Sequence, residues 1–206
     1  IAEIAVAKGI FVISDEIYEK LVYDGAEHVS IASFGPEIRD LTVTINGLSK
    51  SHAMTGWRIG YAAANRDIIK AMSNLQSHST SNPTSIAQKA AVAAFKGPQY
   101  VVEEMRRKFD ERRNRMVELI GSVNGMHCDK PEGAFYVFAD ISDLFGQEFC
   151  GRKIENADDV SALFLEEARV AVVSGSGFGA PEYIRFSYAT SMAFIEEGLR
   201  RIAAVV

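Results

Sequence analysis

Asn46-Gly47-Leu48-Ser49-Lys50-Ser51-His52-Ala53-Met54-Thr55-Gly56-Trp57-Arg58-Ile59-Gly60 follows directly on the β-branched run Leu41-Thr42-Val43-Thr44-Ile45. That run predicts a buried strand, the polar stretch after it predicts a turn carrying Lys50, and Arg58-Ile59-Gly60-Tyr61-Ala62-Ala63-Ala64 predicts the next strand. Upstream, Ile10-Phe11-Val12-Ile13 is too short for a buried helix and reads as a strand covered on both faces. It is preceded by an amphipathic helix (Ile1, Ile4, Ala5, Lys8) that Gly9 ends, and followed at once by Ser14-Asp15-Glu16-Ile17-Tyr18. Three strands, each leading into polar residues, predict part of an α/β sheet.

Downstream of Asp67 the apolar spacing is helical (Ile68, Ile69, Met72, Leu75), breaks at Ser79-Thr80-Ser81-Asn82-Pro83-Thr84, and resumes through Ile86, Ala90, Ala93 and Ala94 to Gly97-Pro98. Pro98 suits the first turn of a long helix whose stripe is Val102, Met105, Phe109, Met116, Val117 and Ile120. After Gly125 the pattern becomes that of a smaller α+β unit. Strands are expected at Ala134 to Phe138, Val170 to Val173 and Tyr183 to Tyr188, helices at Ala157 to Ala168 and Met192 to Ala204, and a surface loop at Gly146 to Asn156. The expected organisation is one domain over 1–97, a connecting helix over 98–125 and a small C-terminal domain over 126–206.

A formal net charge of -5 argues against a nucleic-acid surface. The densest basic cluster, Arg106-Arg107-Lys108 with Arg112-Arg113 and Arg115, is interleaved with Glu103, Glu104, Asp110, Glu111 and Glu118 and reads as the solvated face of a helix. Cys128 and Cys150 have neither metal spacing nor a disulfide-rich context, which predicts free thiols in a reducing cytoplasm. No secretory signal or membrane span is visible. His28, His52, His78 and His127 show no ligand spacing, so no metal is expected. The chain starts at Ile1 without an initiator methionine, and the expectation is that it is the later part of a longer protein.

The Lys50 segment, the Asp15-Glu16-Ile17-Tyr18 tetrad and Tyr183-Ile184-Arg185-Phe186-Ser187-Tyr188-Ala189-Thr190-Ser191 together resemble the class I/II pyridoxal-phosphate aminotransferases. The likeness runs essentially from Ile1 to Val206, and the Lys50 segment with Ser79 to Ala91 looks most like the bacterial aspartate-type members. It implies an α/β fold, the C-terminal half of a fold type I large domain with a partial mixed sheet, plus a smaller α+β domain. It implies pyridoxal 5'-phosphate as cofactor and reversible transamination between an amino acid, aspartate or similar, and a 2-oxo acid such as 2-oxoglutarate. A homodimer is implied for the whole protein.

Residue by residue, the resemblance gives Lys50 the Schiff-base role, since an amine must capture the cofactor aldehyde and then shuttle protons. Asp15 would sit against the ring nitrogen and keep it protonated, Tyr18 would donate its hydroxyl to the ring phenolate oxygen, and Ser49 and Arg58 would hold the phosphate. Arg185 would grip the substrate α-carboxylate. On local evidence alone each has a plainer reading: Lys50 a turn lysine, Asp15 a helix N-cap with Tyr18 as packing, Arg185 a solvated strand arginine. Trp57 and Met54 read as packing, and Ser174-Gly175-Ser176-Gly177-Phe178-Gly179 as a turn rather than a dinucleotide fingerprint, because Pro181 and a strand follow it.

A carbon-sulfur lyase of the same fold would use the same Asp15, Lys50, Arg58 and Arg185. The effector domain of an aminotransferase-like transcription regulator would also carry them, with a winged helix-turn-helix upstream. Because the resemblance assigns the phosphate cup and the ring-stacking aromatic to residues before Ile1, this chain alone is expected to bind cofactor weakly, not to turn over, and to expose an unpaired sheet edge.

Overall fold

The computed structural model describes residues 1–206, and they divide into two compact units, Ile1–Glu104 and Met105–Val206. No helix is long and apolar enough to cross a membrane. Both cysteines are free, Cys150 exposed and Cys128 half-buried, and burial pushes the Cys128 thiol up.

In the first unit α1 (Ala2–Lys8) ends at Gly9, whose left-handed φ of 60° lets its N–H turn back onto the last helical carbonyls. Strand β1 (Val12–Asp15) pairs in parallel with β2 (Thr42–Gly47), and β2 pairs antiparallel with β3 (Gly60–Ala63), giving a mixed sheet of order β1-β2-β3. Helix α2 (Pro36–Leu41) runs straight into β2, and Thr42 Oγ1 donates back to the Ile38 carbonyl at 2.8 Å across that junction. The expectation that the first strand is covered on both faces is not met. β1 is an edge strand, and the face carrying Phe11, Ile13 and Asp15 is open, with Ile13 77% exposed.

Helix α3 (Arg66–Ser79) starts where Asn65 Oδ1 accepts from Ile68 N–H at 3.0 Å. Its apolar stripe, Leu75 above all, lies open rather than in the core. Helix α4 (Ser85–Lys96) follows the expected break and presents Ala87 and Ala91 as its buried face. Leu48, Met54 and Ala91 form a small buried cluster with Ile59, Ala90 and Ala94 packed against it, so α4 supports the turn that carries Lys50. Met54 packs as its sequence context suggests, whereas Trp57 stands 46% exposed.

Helix α5 (Tyr100–Ile120) runs from the first unit into the second. Val102, Phe109, Met116 and Ile120 of the predicted stripe are buried. One member of the supposedly solvated basic face is not solvated: Arg113 is fully buried, its Nε and Nη2 donating to Asp110 Oδ1 at 3.1 and 2.6 Å and its Nη1 to the Pro131 carbonyl at 2.6 Å. Spacing alone cannot tell a helical arginine that faces water from one that reaches a carbonyl on another segment.

The second unit is built on a four-stranded antiparallel sheet of order β4-β5-β9-β8, from β4 (His127–Cys128), β5 (Tyr136–Asp140), β8 (Val173–Ser174) and β9 (Tyr183–Ser187). Val137, Ala139, Ile184 and Phe186 on one sheet face are buried together with Val160 and Leu163 of α6 (Ala157–Leu163) and Ile195, Leu199 and Ile202 of α7 (Met192–Ile202). Each of these valine, leucine, isoleucine and phenylalanine side chains contributes about 1.5–3 kcal/mol when removed from water. Asn156 caps α6 through the N–H groups of Asp158 and Asp159, and Ser191 caps α7 through that of Phe194.

Three segments differ from expectation. Gly146 to Asn156 is not a plain loop but holds a hairpin, β6 (Glu148–Phe149) with β7 (Arg152–Lys153), turned by Cys150 and Gly151 at φ 50° and 76°. The predicted helix 157–168 stops being α-helical at Leu163 and finishes as a π-helical turn, Phe164–Ala168, with Arg169 left-handed beyond it. The strand expected over Val170 to Val173 shrinks to Val173–Ser174.

Candidate active site

In the first unit the candidate residues gather at the ends of β1 and β2. The parallel register sets Asp15 opposite Ile45, so the chain after β1 and the chain after β2 emerge side by side at the carboxyl ends of their strands. In open α/β sheets that edge is where ligands are bound. Asp15 lies on the open face, with one carboxylate oxygen accepting the Ile17 N–H at 3.2 Å, which fixes the tight turn that brings Tyr18 round.

Beyond β2 the chain makes room for this turn by having no side chain at two registered positions. A Cβ on Gly47 would meet the Ile59 carbonyl at 3.1 Å, Gly60 Cα at 3.2 Å and Ile17 Cδ1 at 3.3 Å, and one on Gly60 would meet the Asn46 carbonyl at 3.0 Å. The Leu48 carbonyl then accepts the N–H groups of His52 (3.1 Å) and Met54 (3.2 Å), closing the loop on which Ser49 and Lys50 sit. Buried Leu48 and Met54 anchor both ends of it. Lys50 Nζ lies 6.0 Å from the centroid of the Tyr18 ring, within cation–π reach, so these two candidates are brought together.

Arg58 is exposed and held in the left-handed region at φ 52°, which a side-chain-bearing residue enters at a cost of about 1 kcal/mol. Its Nη1 donates to the Thr55 carbonyl at 3.1 Å, leaving the rest of the fork for another acceptor. Ser49 is half-buried on the same turn as Lys50. His52 Nδ1 pairs with Ser51 Oγ at 2.8 Å, and the His52 ring stands edge-on to Phe95.

A network centred on Glu16, which sequence reasoning missed, ties this edge together. Glu16 is buried and takes hydrogen bonds from Ser30 Oγ at 2.7 Å, Ser14 Oγ at 3.0 Å and His28 Nε2 at 3.1 Å. Burial pushes the Glu16 carboxyl up, but the bonds from Ser30, His28 and Ser14 outweigh it and hold the group below its ordinary value. Ligand atoms of Glu16, Glu19 and His28 lie within 4.8 Å of one another. With both Glu16 oxygens already accepting bonds, the group reads as a hydrogen-bond network. The available signal was alternation: Ser14 and Glu16 share one side of the strand path, as do His28 and Ser30 of theirs. On β3, Tyr61 packs edge-on against Phe95, and burial with the nearby Glu19 and Glu16 pushes its hydroxyl up.

In the second unit Arg185 occupies β9, opposite Phe138 of β5 and Val173 of β8. Ile184 and Phe186 are buried, so alternation turns Arg185 to the other face as the sequence predicts. There it projects into a cavity of about 540 Å³ lined by Asp129, Pro131, Tyr136, Phe138, Phe178 and Tyr183. Its Cζ lies over the Tyr136 ring at 4.4 Å from the centroid and over the Phe178 ring at 4.7 Å. Neither ring stands out in the sequence as a site residue.

The arrangement offers an amine beside a phenol, a carboxylate on the same sheet edge, a partly used guanidinium, and in the other unit a guanidinium open at its edge. The model of the family "Aminotransferase class I and II" matches residues 1–202. The aspartate aminotransferase of Geobacillus stearothermophilus is 54% identical over 202 residues, 98% of this chain and 50% of that protein, and that of Bacillus subtilis is 52% identical over 206 residues, 100% and 51%. The crystal structure of the Rhizobium meliloti aspartate aminotransferase superposes with a TM-score of 0.95 at 43% identity, covering 98% of this chain and 51% of that one. The chain therefore spans about half the length of the curated relatives it matches. With a matching family model over nearly all of its residues, and relatives at this level of identity along its whole length, the chain belongs to the class I and II aminotransferases.

Proposed function

We propose that the protein carrying this chain transfers an amino group between an amino acid, aspartate or a close analogue, and a 2-oxo acid such as 2-oxoglutarate, using pyridoxal 5'-phosphate. The observation that carries the reading is Lys50 Nζ standing 6.0 Å from the Tyr18 ring, on a turn beside the strand that ends in Asp15, in a member of this family. The donor set fits the cofactor: an amine for its aldehyde, a carboxylate for its ring nitrogen, a phenol for its ring oxygen, and a hydroxyl with a guanidinium for its phosphate.

Bound pyridoxal phosphate supplies an aldehyde and an electron-withdrawing ring. Lys50 would hold it through Nζ, and the same Nζ, as a free amine, would accept the proton from the substrate α-carbon and return it on the far side of the reaction. Asp15 keeps a proton on the ring nitrogen through charge, from a backbone position fixed by the Ile17 N–H. Tyr18 donates its hydroxyl to the ring oxygen. Ser49 and Arg58 would hold the phosphate, Arg58 with the N–H groups that its bond to the Thr55 carbonyl does not use. Arg185 binds the substrate α-carboxylate at its open edge.

The names of the relatives support aspartate as substrate. We further propose that the active protein is a homodimer, with the exposed apolar side chains of α4, Ile86 at 71% and Phe95 at 52%, as part of what assembly covers. The deciding experiment supplies L-aspartate and 2-oxoglutarate to the purified protein and follows oxaloacetate and glutamate. Stoichiometric formation of both is expected. Pyruvate and thiol release from cystathionine, without amino transfer, would replace this reading with a lyase.

A further inference from the structure

The ring pair around Arg185 does more than pack it. A guanidinium directs all five N–H groups into its own plane, and its two faces are the surfaces on which aromatic rings settle. Here Arg185 Cζ lies over the Tyr136 ring of β5 at 4.4 Å and over the Phe178 ring at 4.7 Å, a placement that suits one ring on each face and leaves the in-plane edge as the approach for a ligand. A carboxylate meets that condition, because its two oxygens, its carbon and the attached α-carbon are coplanar. A phosphonate or sulfonate does not. With two oxygens on the guanidinium edge, its third oxygen and its carbon substituent rise above and below the plane, toward the rings.

Phe178 is 54% exposed, yet its position is built. It ends the 3₁₀ turn Gly175–Phe178, closed by Gly179 at φ 73° and capped by Ser174 Oγ accepting from Ser176 N–H at 3.2 Å. The turn is pressed against the start of β9 so tightly that a Cβ on Gly175 would lie 2.1 Å from the Ala180 carbonyl and 2.5 Å from that of Tyr183. Phe138 meets the Phe178 ring edge-on at 6.1 Å and stacks on Tyr183 at 4.8 Å, bracing the ring from the sheet side. The glycine-rich segment thus delivers one aromatic ring to the guanidinium of one arginine.

We propose that Tyr136 and Phe178 clamp Arg185 so that the site selects planar carboxylates over tetrahedral oxyanions, with Phe178 the specificity-determining residue. The inference rests on the reading of Arg185 as the α-carboxylate anchor.

The test uses the intact holoenzyme with L-alanine and its phosphonate analogue, 1-aminoethylphosphonate, each carrying a single acidic group, as competitors of aspartate turnover. Inhibition constants are measured for wild type, Phe178→Ala, Phe178→Tyr and Arg185→Ala. Wild type is expected to prefer the carboxylate by at least about tenfold. Loss of the ring in Phe178→Ala weakens carboxylate binding by about five- to tenfold and leaves phosphonate binding unchanged or tighter, so the preference collapses, while Phe178→Tyr retains it. A general loosening of the unit would weaken both competitors together and leave their ratio at the wild-type value. A wild-type ratio in Phe178→Ala, with carboxylate binding still lost in Arg185→Ala, overturns the clamp and spares the anchor. Unchanged carboxylate binding in Arg185→Ala overturns both.

Discussion

Glu16 follows Asp15 in sequence and turns the opposite way, into the protein, where Ser14, Ser30 and His28 converge on it. It pins the segment at 28–30 to the end of β1, and so holds the turn that carries Asp15 and Tyr18. Glu16→Gln keeps the volume and an oxygen for Ser30 but puts an N–H₂ donor opposite His28, so the charge is lost and that bond survives only in the other His28 tautomer. The expected loss is about 1–3 kcal/mol of unfolding free energy, read by urea titration. The pH dependence has a definite sign. Because the folded protein holds this carboxyl below its ordinary 4.5, the contribution is full above that value and is lost as pH falls through the lowered one. Wild type should therefore lose stability on acidification below about 4.5 more steeply than Glu16→Gln, and parallel curves would show that the network is not coupled to folding. At this scale the candidates Asp15, Tyr18, Ser49, Lys50, Arg58 and Arg185 are legible because each sits in a recognisable local pattern. Glu16 is not, because its partners lie up to 14 residues away and nothing local marks a glutamate that turns inward.

Helices and strands with a clear period are legible to within a few residues: β2, β9, α4 and the buried stripe of α5 lie where alternation or helical spacing sets them. The strands β4, β6, β7 and β8 are two residues long, below the length at which any period exists, so the hairpin at 148–153 is invisible until its turn conformation is seen. Close approaches are equally silent in a sequence. Gly47→Ala should cost about 1–3 kcal/mol, since the Ile59 carbonyl and Ile17 must give way, and the Lys50 turn moves with them. Gly175→Ala is the harsher change, because its obstacles are two backbone carbonyls nearer than 3 Å. A melting temperature lowered further by Gly175→Ala than by Gly47→Ala is the expected order. Equal or reversed shifts would mean that the 174–180 turn yields more easily than its packing indicates.

For the molecule as a whole, one face of the first unit's sheet is uncovered in this chain. Phe11 just before β1, Ile13 on β1 and Leu75 on α3 are 61%, 77% and 73% exposed. An open edge strand with apolar side chains favours pairing with other molecules. The polypeptide 1–206 studied by itself is expected to associate with rising concentration in sedimentation velocity, and charge placed at Ile13 (Ile13→Lys) to reduce that association. A monodisperse monomer at all concentrations would contradict this. The mixed sheet of the first unit is legible because three β-branched or apolar runs each lead into polar residues. The openness of β1 is not, because an apolar run carries no label for what covers it. The proposed chemistry converges on one amine. In the intact protein, Lys50→Ala should reduce the formation of oxaloacetate from aspartate and 2-oxoglutarate by about a thousandfold or more, to the rate of the protein-free mixture, whereas turnover retained within an order of magnitude of wild type would contradict the account.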